Sequence, residues 1–219
     1  MKILVTGATG FVGGHLARGL LEQNHEVHIV TRPGTDLSKL GEARQRVVSH
    51  THNGSTEDMI ALVREARPVA VMHLASLFLG EHKSDDVEGL VQSNVLFSTQ
   101  LAEAMAANSV TKIINVGTSW QHYEDDDYNP VNLYAATKQA FRAMLKYYIE
   151  VFGFRVINLE LFDTYGPNDQ RGKLFALLDN LRKGGDTIGM SPGAQRLDPI
   201  YIDDVTEAFI IALERLESG

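Results

Sequence analysis

The sequence predicts an α/β fold, a doubly wound parallel sheet covered by helices on both faces, with a small lobe at its C-terminal end. Three observations lead there. Short apolar runs alternate with longer stretches of helical spacing along the 219 residues. Those runs are rich in Val, Ile and Leu rather than half polar, as strands buried on both faces are. The first run passes into the first helical stretch through a turn holding Gly7, Gly10 and Gly13.

Each element has its own signal. Residues 2–6 (KILVT) form an apolar run ending at a glycine, which reads as a buried strand. In residues 11–23, Phe11, Val12, Leu16, Leu20 and Leu21 fall at helical spacing, and 26–31 (EVHIVT) is an alternating strand. A third strand is expected near 46–50, followed by a helix over 56–66 with Met59, Ile60, Leu62 and Val63 on its apolar side. The runs 69–74, 112–117 and 154–161 complete a six-strand set, with long helices over 86–107 and 133–152 between them. After Tyr165-Gly166-Pro167 the pattern loosens, and glycines and prolines through 168–199 suggest an appendage. A last helix is expected near 204–216, capped by Asp203 or Asp204. Their carboxylates suit a helix N-terminus better than acid/base chemistry.

Composition closes off several chemistries. With 44% hydrophobic and 22% charged residues, collagen-like and wholly disordered chains are excluded. A net charge of −8 leaves no bulk attraction for nucleic acid. The chain has no cysteine, which excludes disulfides, thiolate metal sites and cysteine nucleophiles. His50 and His52 are the one close histidine pair, and their alternation suits a strand end, so no metal is expected. The N-terminal apolar run is too short for a signal peptide, and no run reaches the ~18 apolar residues of a membrane span. A cytoplasmic location without a membrane partner is the expectation.

Gly7, Gly10 and Gly13 in TGATGFVG have a physical purpose between a strand and a helix. The chain must turn sharply, the backbone must approach a pyrophosphate, and the helix must pack closely on the strand. The helix N-terminus then offers free N–H groups to the phosphates. A dinucleotide is therefore the expected cofactor. The end of the second strand distinguishes two of them. An acid there would bind the ribose hydroxyls of NAD, but the chain has Thr31 and Arg32, and Arg32 can pair with a 2′-phosphate through a fork of N–H donors. NADP is expected, with NAD the alternative because Asp36 stands nearby.

Tyr134 and Lys138 in YAATK lie four apart at the start of a long helix, on one face. An ammonium beside a phenol favours the phenolate, so Lys138 is expected to lower the Tyr134 pKa and make it a proton donor and acceptor during hydride transfer. Thr118 and Ser119 follow the fifth strand, at the edge of the sheet where ligands bind in such folds.

TGATGFVG, HLAS at 73–76, Asn94, the Thr118 strand end, Tyr134-x-x-x-Lys138, Tyr165-Gly166-Pro167 and YIDDV at 201–205 together resemble the extended short-chain dehydrogenase/reductase family. Within it the chain is similar to the nucleotide-sugar epimerase, dehydratase and reductase branch. The resemblance implies a Rossmann domain over 1–165 that binds NAD(P), and a partial, apparently truncated substrate lobe over 166–219. It implies catalysis by Thr118, Tyr134 and Lys138. It also implies cofactor contacts from Gly7, Gly10, Phe11, Val12, Gly13, Leu74, Ala75, Ser76, Asn94, Tyr134, Lys138 and Phe162, and from Asn53 and Gly54 near the adenine.

Dehydratases of the branch carry an Asp-Glu pair directly after the Thr, and this chain has Ser119 and Trp120 instead, which argues against dehydration. Trp120 and His122, with Tyr123, are expected to form an aromatic wall for a sugar, and Asp163, Arg171 and Arg196 to meet the rest of the substrate, Lys173 being a further phosphate candidate. Asp163 replaces the family's Asn and Glu160 its Arg. The stretch around GTSWQHY resembles 4-ketoreductases of the CDP-abequose and CDP-paratose synthase type. The implied reaction is NADPH-dependent reduction of the 4-keto group of a CDP- or dTDP-linked deoxy sugar. The alternatives are a 4-epimerase holding NAD tightly, and a regulator that binds NADP without turnover, which the Tyr-Lys pair disfavours. Relatives pair the helices near 86–107 and 133–152 as a four-helix bundle, so a homodimer is expected through Leu90, Val91, Leu101, Met105, Phe141, Leu145, Tyr148 and Ile149.

Overall fold

The computed structural model describes residues 1–184, 187, 189, 192, 193 and 197–218. Six strands form one parallel sheet: β1 (Lys2–Thr6), β2 (Glu26–Thr31), β3 (Val48–Thr51), β4 (Ala70–His73), β5 (Lys112–Thr118) and β6 (Arg155–Leu161). Their order is β3-β2-β1-β4-β5-β6, so the winding reverses between β1 and β4. That reversal opens a crevice at the carboxyl ends of the two strands, the place where open α/β sheets bind ligands.

The pleat explains how one apolar run serves two cores. On one face Ile3 and Val5 of β1 pack with Leu16 and Leu20 of α1 (Phe11–Glu22) and with Phe209 and Leu213 of the last helix. On the other, Leu4 packs with Met59 of α2 (Thr56–Ala66) and, through the same cluster, with Leu101, Phe141 and Leu145. All of these side chains are essentially inaccessible to solvent. Fully burying each stabilises the fold by about 1.5–3 kcal/mol before chain entropy is counted.

Local chemistry sets the helix ends. Ser55 Oγ accepts from Asp58 N at 3.2 Å to cap α2. The expected helix over 86–107 is α3 (Val87–Val91) and α4 (Phe97–Ala107), joined by a π turn at Gln92–Leu96. The helix α5 (Leu133–Phe152) starts at Asn132, whose Oδ1 accepts from Ala135 N at 2.9 Å, and stops at Gly153 with φ 68°.

Beyond β6 the chain forms β7 (Asp163–Tyr165), α6 (Leu174–Arg182), β8 (Pro199–Tyr201) and α7 (Ile202–Ser218), with β7 and β8 paired in parallel. The expectation of a loose appendage therefore needs correction at α6, a nine-residue helix with no fully buried residue. Asp203 and Asp204 lie inside the first turn of α7 rather than before it. Although α7 follows the small sheet, it packs on α1, where a Cβ on Gly19 would come within 2.7 Å of Thr206 Cγ2. Among the described residues no helix is long and apolar enough to cross a membrane.

The expected dimer surface also needs correction. Leu90, Leu101, Met105, Phe141, Leu145 and Tyr148 are buried in the single chain, because one face of each helix covers the sheet. Val91 and Ile149 remain exposed, together with Val87, Leu96, Met144, Tyr147 and Val151.

Candidate active site

The glycine turn leaves β1 at Gly7, whose φ of 74° suits a residue without a side chain. A Cβ there would stand 2.7 Å from Ala75 N, and one on Gly13 would run into the Gly7 carbonyl. Gly10 N donates to Gly7 O at 3.0 Å, and α1 begins at Phe11 without a side-chain cap. The first N–H groups of α1, from Phe11, Val12 and Gly13, thus belong to an uncapped helix start, the donor set that a diphosphate needs. The residues present fit a dinucleotide.

Behind the turn lies a buried polar chain. The Ala75 N–H donates to Thr6 Oγ1 at 3.1 Å, and Leu74 N to Thr6 O at 3.3 Å. Thr6 Oγ1 meets His73 Nδ1 at 2.8 Å, His73 Nε2 meets Ser98 Oγ at 2.8 Å, and Ser98 Oγ donates to Asn94 O at 2.8 Å. Since the Ser98 proton is spent on a carbonyl, Ser98 must accept from His73, which places the imidazole proton on Nε2 and leaves Nδ1 to accept from Thr6. Complete burial, together with the nearby Lys138 charge, lowers the His73 pKa to about 3 and keeps the ring neutral.

Asn94 sits in the π turn and is 1% exposed. Its Oδ1 accepts from Leu77 N at 2.7 Å, and its Nδ2 donates to Leu77 O at 3.0 Å and Thr137 Oγ1 at 2.9 Å. Its amide is thereby committed to holding the segment after β4 against α5. Of the other expected cofactor contacts, Thr31 is turned inward, its Oγ1 donating to His50 O at 3.3 Å. Arg32 is exposed, and the nearby acid Asp36 is occupied by Ser38, which donates through N and Oγ at 2.8 and 2.7 Å. Asn53 Oδ1 accepts from Ser55 N at 2.9 Å, Gly54 O accepts from Gln100 Nε2 at 2.9 Å, and Phe162 is exposed. His50 bonds His28, and His52 Nδ1 lies 3.0 Å from Asp58 Oδ2.

Thr118 ends β5 and is almost buried, and its Oγ1 accepts from Trp120 N at 3.3 Å, which leaves the hydroxyl proton to donate elsewhere. Tyr134 and Lys138 are both buried on α5. Burial pushes the Tyr134 phenol above its ordinary pKa, and a hydrogen bond with Ser76 only partly offsets it. The lowering expected from Lys138 is not the outcome here. Desolvation sets the direction at Tyr134, and it also drops Lys138 to about 8.

The aromatic wall differs from the expected one. Phe78, on the segment held by Asn94, packs edge-on against Tyr134 at 5.0 Å and beside Trp120 at 5.6 Å. Lys173 Nζ lies 5.1 Å from the Phe78 ring centre and 5.6 Å from that of Trp120, and bonds Asp163 Oδ1 at 2.7 Å. His122 instead leaves the wall. Its Nε2 is 3.2 Å from Glu160 Oε1, which also pairs with Arg142. Glu160 and Arg142 thus engage the imidazole, whereas Trp120 packs beside Phe78. Arg171 lies 4.2 Å over the Phe11 ring, held by Asp169 and Thr164, so it faces the glycine turn. Arg196 lies outside the described residues. Phe78 and Lys173 meet from two separate loops and share no spacing that a sequence could show.

The profile of the NAD dependent epimerase/dehydratase family matches residues 3–219. The chain belongs to this family. Among the family's members, the CDP-abequose synthase of Yersinia pseudotuberculosis is 25% identical over 96% of this chain and 72% of its own length. The UDP-glucose 4-epimerase of Mycolicibacterium smegmatis is 26% identical over 97% of this chain and 73% of its own. Among solved structures, the Thermus thermophilus UDP-glucose 4-epimerase complex with NAD superposes with a TM-score of 0.84 at 26% identity, over 97% of this chain and 74% of that one. A UDP-glucuronic acid 4-epimerase from Bacillus cereus in complex with NAD gives 0.83 at 27% identity. This epimerase/dehydratase chain thus has a Rossmann-like fold, and the relatives and neighbours it resembles are enzymes of nucleotide sugars.

Proposed function

We propose that this chain reduces the 4-keto group of a CDP- or dTDP-linked deoxy sugar with NADPH. The observation that carries the choice of reaction is the buried hydroxyl pair, Tyr134 in the first turn of α5 and Thr118 at the end of β5, with burial holding the phenol above its ordinary pKa. When bound, the cofactor supplies the hydride. Tyr134 holds the proton that the ketone oxygen takes up, Thr118 donates a hydrogen bond to that oxygen, and Lys138, four residues along α5, carries a positive charge at neutral pH. Ser119 and Trp120, where dehydratases of the branch carry an acid pair, supply no acid or base for elimination. Leu74, Ala75 and Ser76 line the cofactor's path, and the Asp163–Lys173 pair leaves no unbalanced carboxylate to repel a diphosphate. The cytoplasm is the compartment proposed.

Support for NADP comes from Arg32, exposed at the end of β2, and from Asp36 being bound to Ser38. Arg32→Ala should weaken NADPH binding by at least about ten-fold while leaving NADH nearly unchanged, since only NADPH carries the phosphate. Titration of both cofactors against both proteins checks it, and tighter NADH binding by the unaltered chain would reverse the assignment. A second reading, a UDP-sugar 4-epimerase with retained NAD, is favoured by the NAD-bound epimerases among the structural neighbours. Offering CDP- and dTDP-4-keto sugars beside UDP-hexoses separates the two readings.

A further inference from the structure

Thr118 and Tyr134 come from different elements, the end of β5 and the first turn of α5, so their spacing depends on whatever joins those elements. We propose that Gln121 is the positioning residue that sets it, a buried strut tying the Thr118–Trp120 turn to α5. The proposal rests on Thr118 and Tyr134 being the reacting pair.

Gln121 is 1% exposed, and both ends of its amide are used. Its Oε1 accepts the backbone N–H of Thr118 at 2.9 Å, and its Nε2 donates to Gln139 Oε1 at 2.7 Å. The orientation is decided by chemistry. Thr118 offers an N–H, so the oxygen of Gln121 must face it, and the NH2 group must then face Gln139. Gln139 is next to Lys138 on α5. Space for the amide exists because residue 117 is glycine. A Cβ there would come within 2.8 Å of Gln121 Oε1. The Gln121 backbone is held as well, its carbonyl accepting from Asn129 N at 2.9 Å, while Trp120 O accepts from Val131 N at 2.9 Å.

Removing the strut leaves a buried Thr118 N–H without a partner and lets the turn shift relative to Tyr134. A misplacement of about 1 Å at reacting groups lowers rates on the order of 100-fold. The turn carries its own reporter, because Trp120 is the one tryptophan of the chain. Its fluorescence can be read without substrate or cofactor.

The test compares Gln121→Met, which keeps the volume and loses both hydrogen bonds, with Gln121→Glu. The carboxylate still accepts from Thr118, and Gln139 can turn its NH2 group toward it. Gln121→Met should raise acrylamide quenching of Trp120 by about two-fold and lower kcat about 10–100-fold, with KM and the Kd for NADPH within about two-fold of the unaltered chain. Gln121→Glu should restore both readouts. If Gln121→Met does not fold, Gln139→Met cuts the strut at its half-buried end and should give the same quenching. Unchanged quenching in the methionine variants, or equal losses in Gln121→Met and Gln121→Glu, would overturn the proposal. A chain that turns over none of the sugars defeats the proposed reaction, while the quenching comparison still decides the strut.

Discussion

Burial raises the Tyr134 phenol above its ordinary pKa, and the hydrogen bond with Ser76 only partly offsets it, so the phenol keeps its proton across the neutral range. A reductase needs that state at the start of each cycle. Tyr134→Phe should therefore cost at least about 100-fold in kcat, with the NADPH Kd little changed, as read by steady-state rates and titration. A second residue-scale effect belongs to His73, whose folded pKa near 3 lies below its ordinary 6.5. Between those values the unfolded chain binds a proton that the folded chain refuses, so stability complete above pH 6.5 is lost as the pH falls toward 3. From pH 6.5 to 5 the unaltered protein should lose about 2 kcal/mol more than His73→Gln, measured by urea unfolding. Lys138 has the opposite window. Its lowered value means that stability rises from about pH 8 toward 10.5. The glycine turn and the Tyr134–Lys138 pair were legible as candidates because spacing along one turn or one helix face carries them, and Thr118 because it ends a strand. Phe78 and Gln121 were not, since their partners lie across loops. The pairing of His122 with Glu160 was not legible either, since the two residues lie far apart in the chain on separate elements.

Among the elements, strands and long helices were readable from apolar periodicity, whereas the π turn at Gln92–Leu96 has no such signature. Its extra backbone width places Asn94 where it can grip both polar groups of Leu77. Asn94→Ala should strand those groups in a part-buried position and destabilise the fold by roughly 1–3 kcal/mol. It should also free the segment bearing Phe78. Urea unfolding gives the first effect, and faster hydrogen exchange at the Leu77 amide gives the second. The helix α6 escaped notice for a different reason: its apolar residues bury little, so glycine and proline around it dominated the local pattern. The three-residue strands β7 and β8 are too short for periodicity to show.

For the whole molecule, the doubly wound parallel sheet and the family were legible, but the apolar surplus on the long helices was assigned to the wrong partner. Most of it covers the chain's own sheet. The stripes left outside, Val87 with Val91 on α3 and Met144, Tyr147 and Val151 on α5, still recur at helical spacing, and a two-fold pairing of these faces would cover them. Light scattering at micromolar concentration should give about twice 24.2 kDa, and Tyr147→Glu with Val151→Lys should return it to the single-chain mass. The packing of α7 on α1 has a consequence for how the protein is made. Leu16 and Leu20 are synthesised early, yet they finish their burial against Phe209 and Leu213 near the other end of the chain. The face formed by α2, α4 and α5 has all its buried partners once Phe154 has emerged from the ribosome. The opposite face, with the glycine turn at its edge, is only partly covered, by α1, until α7 arrives. One side of the sheet can thus close early in translation, while the side that carries α1 must wait for α7.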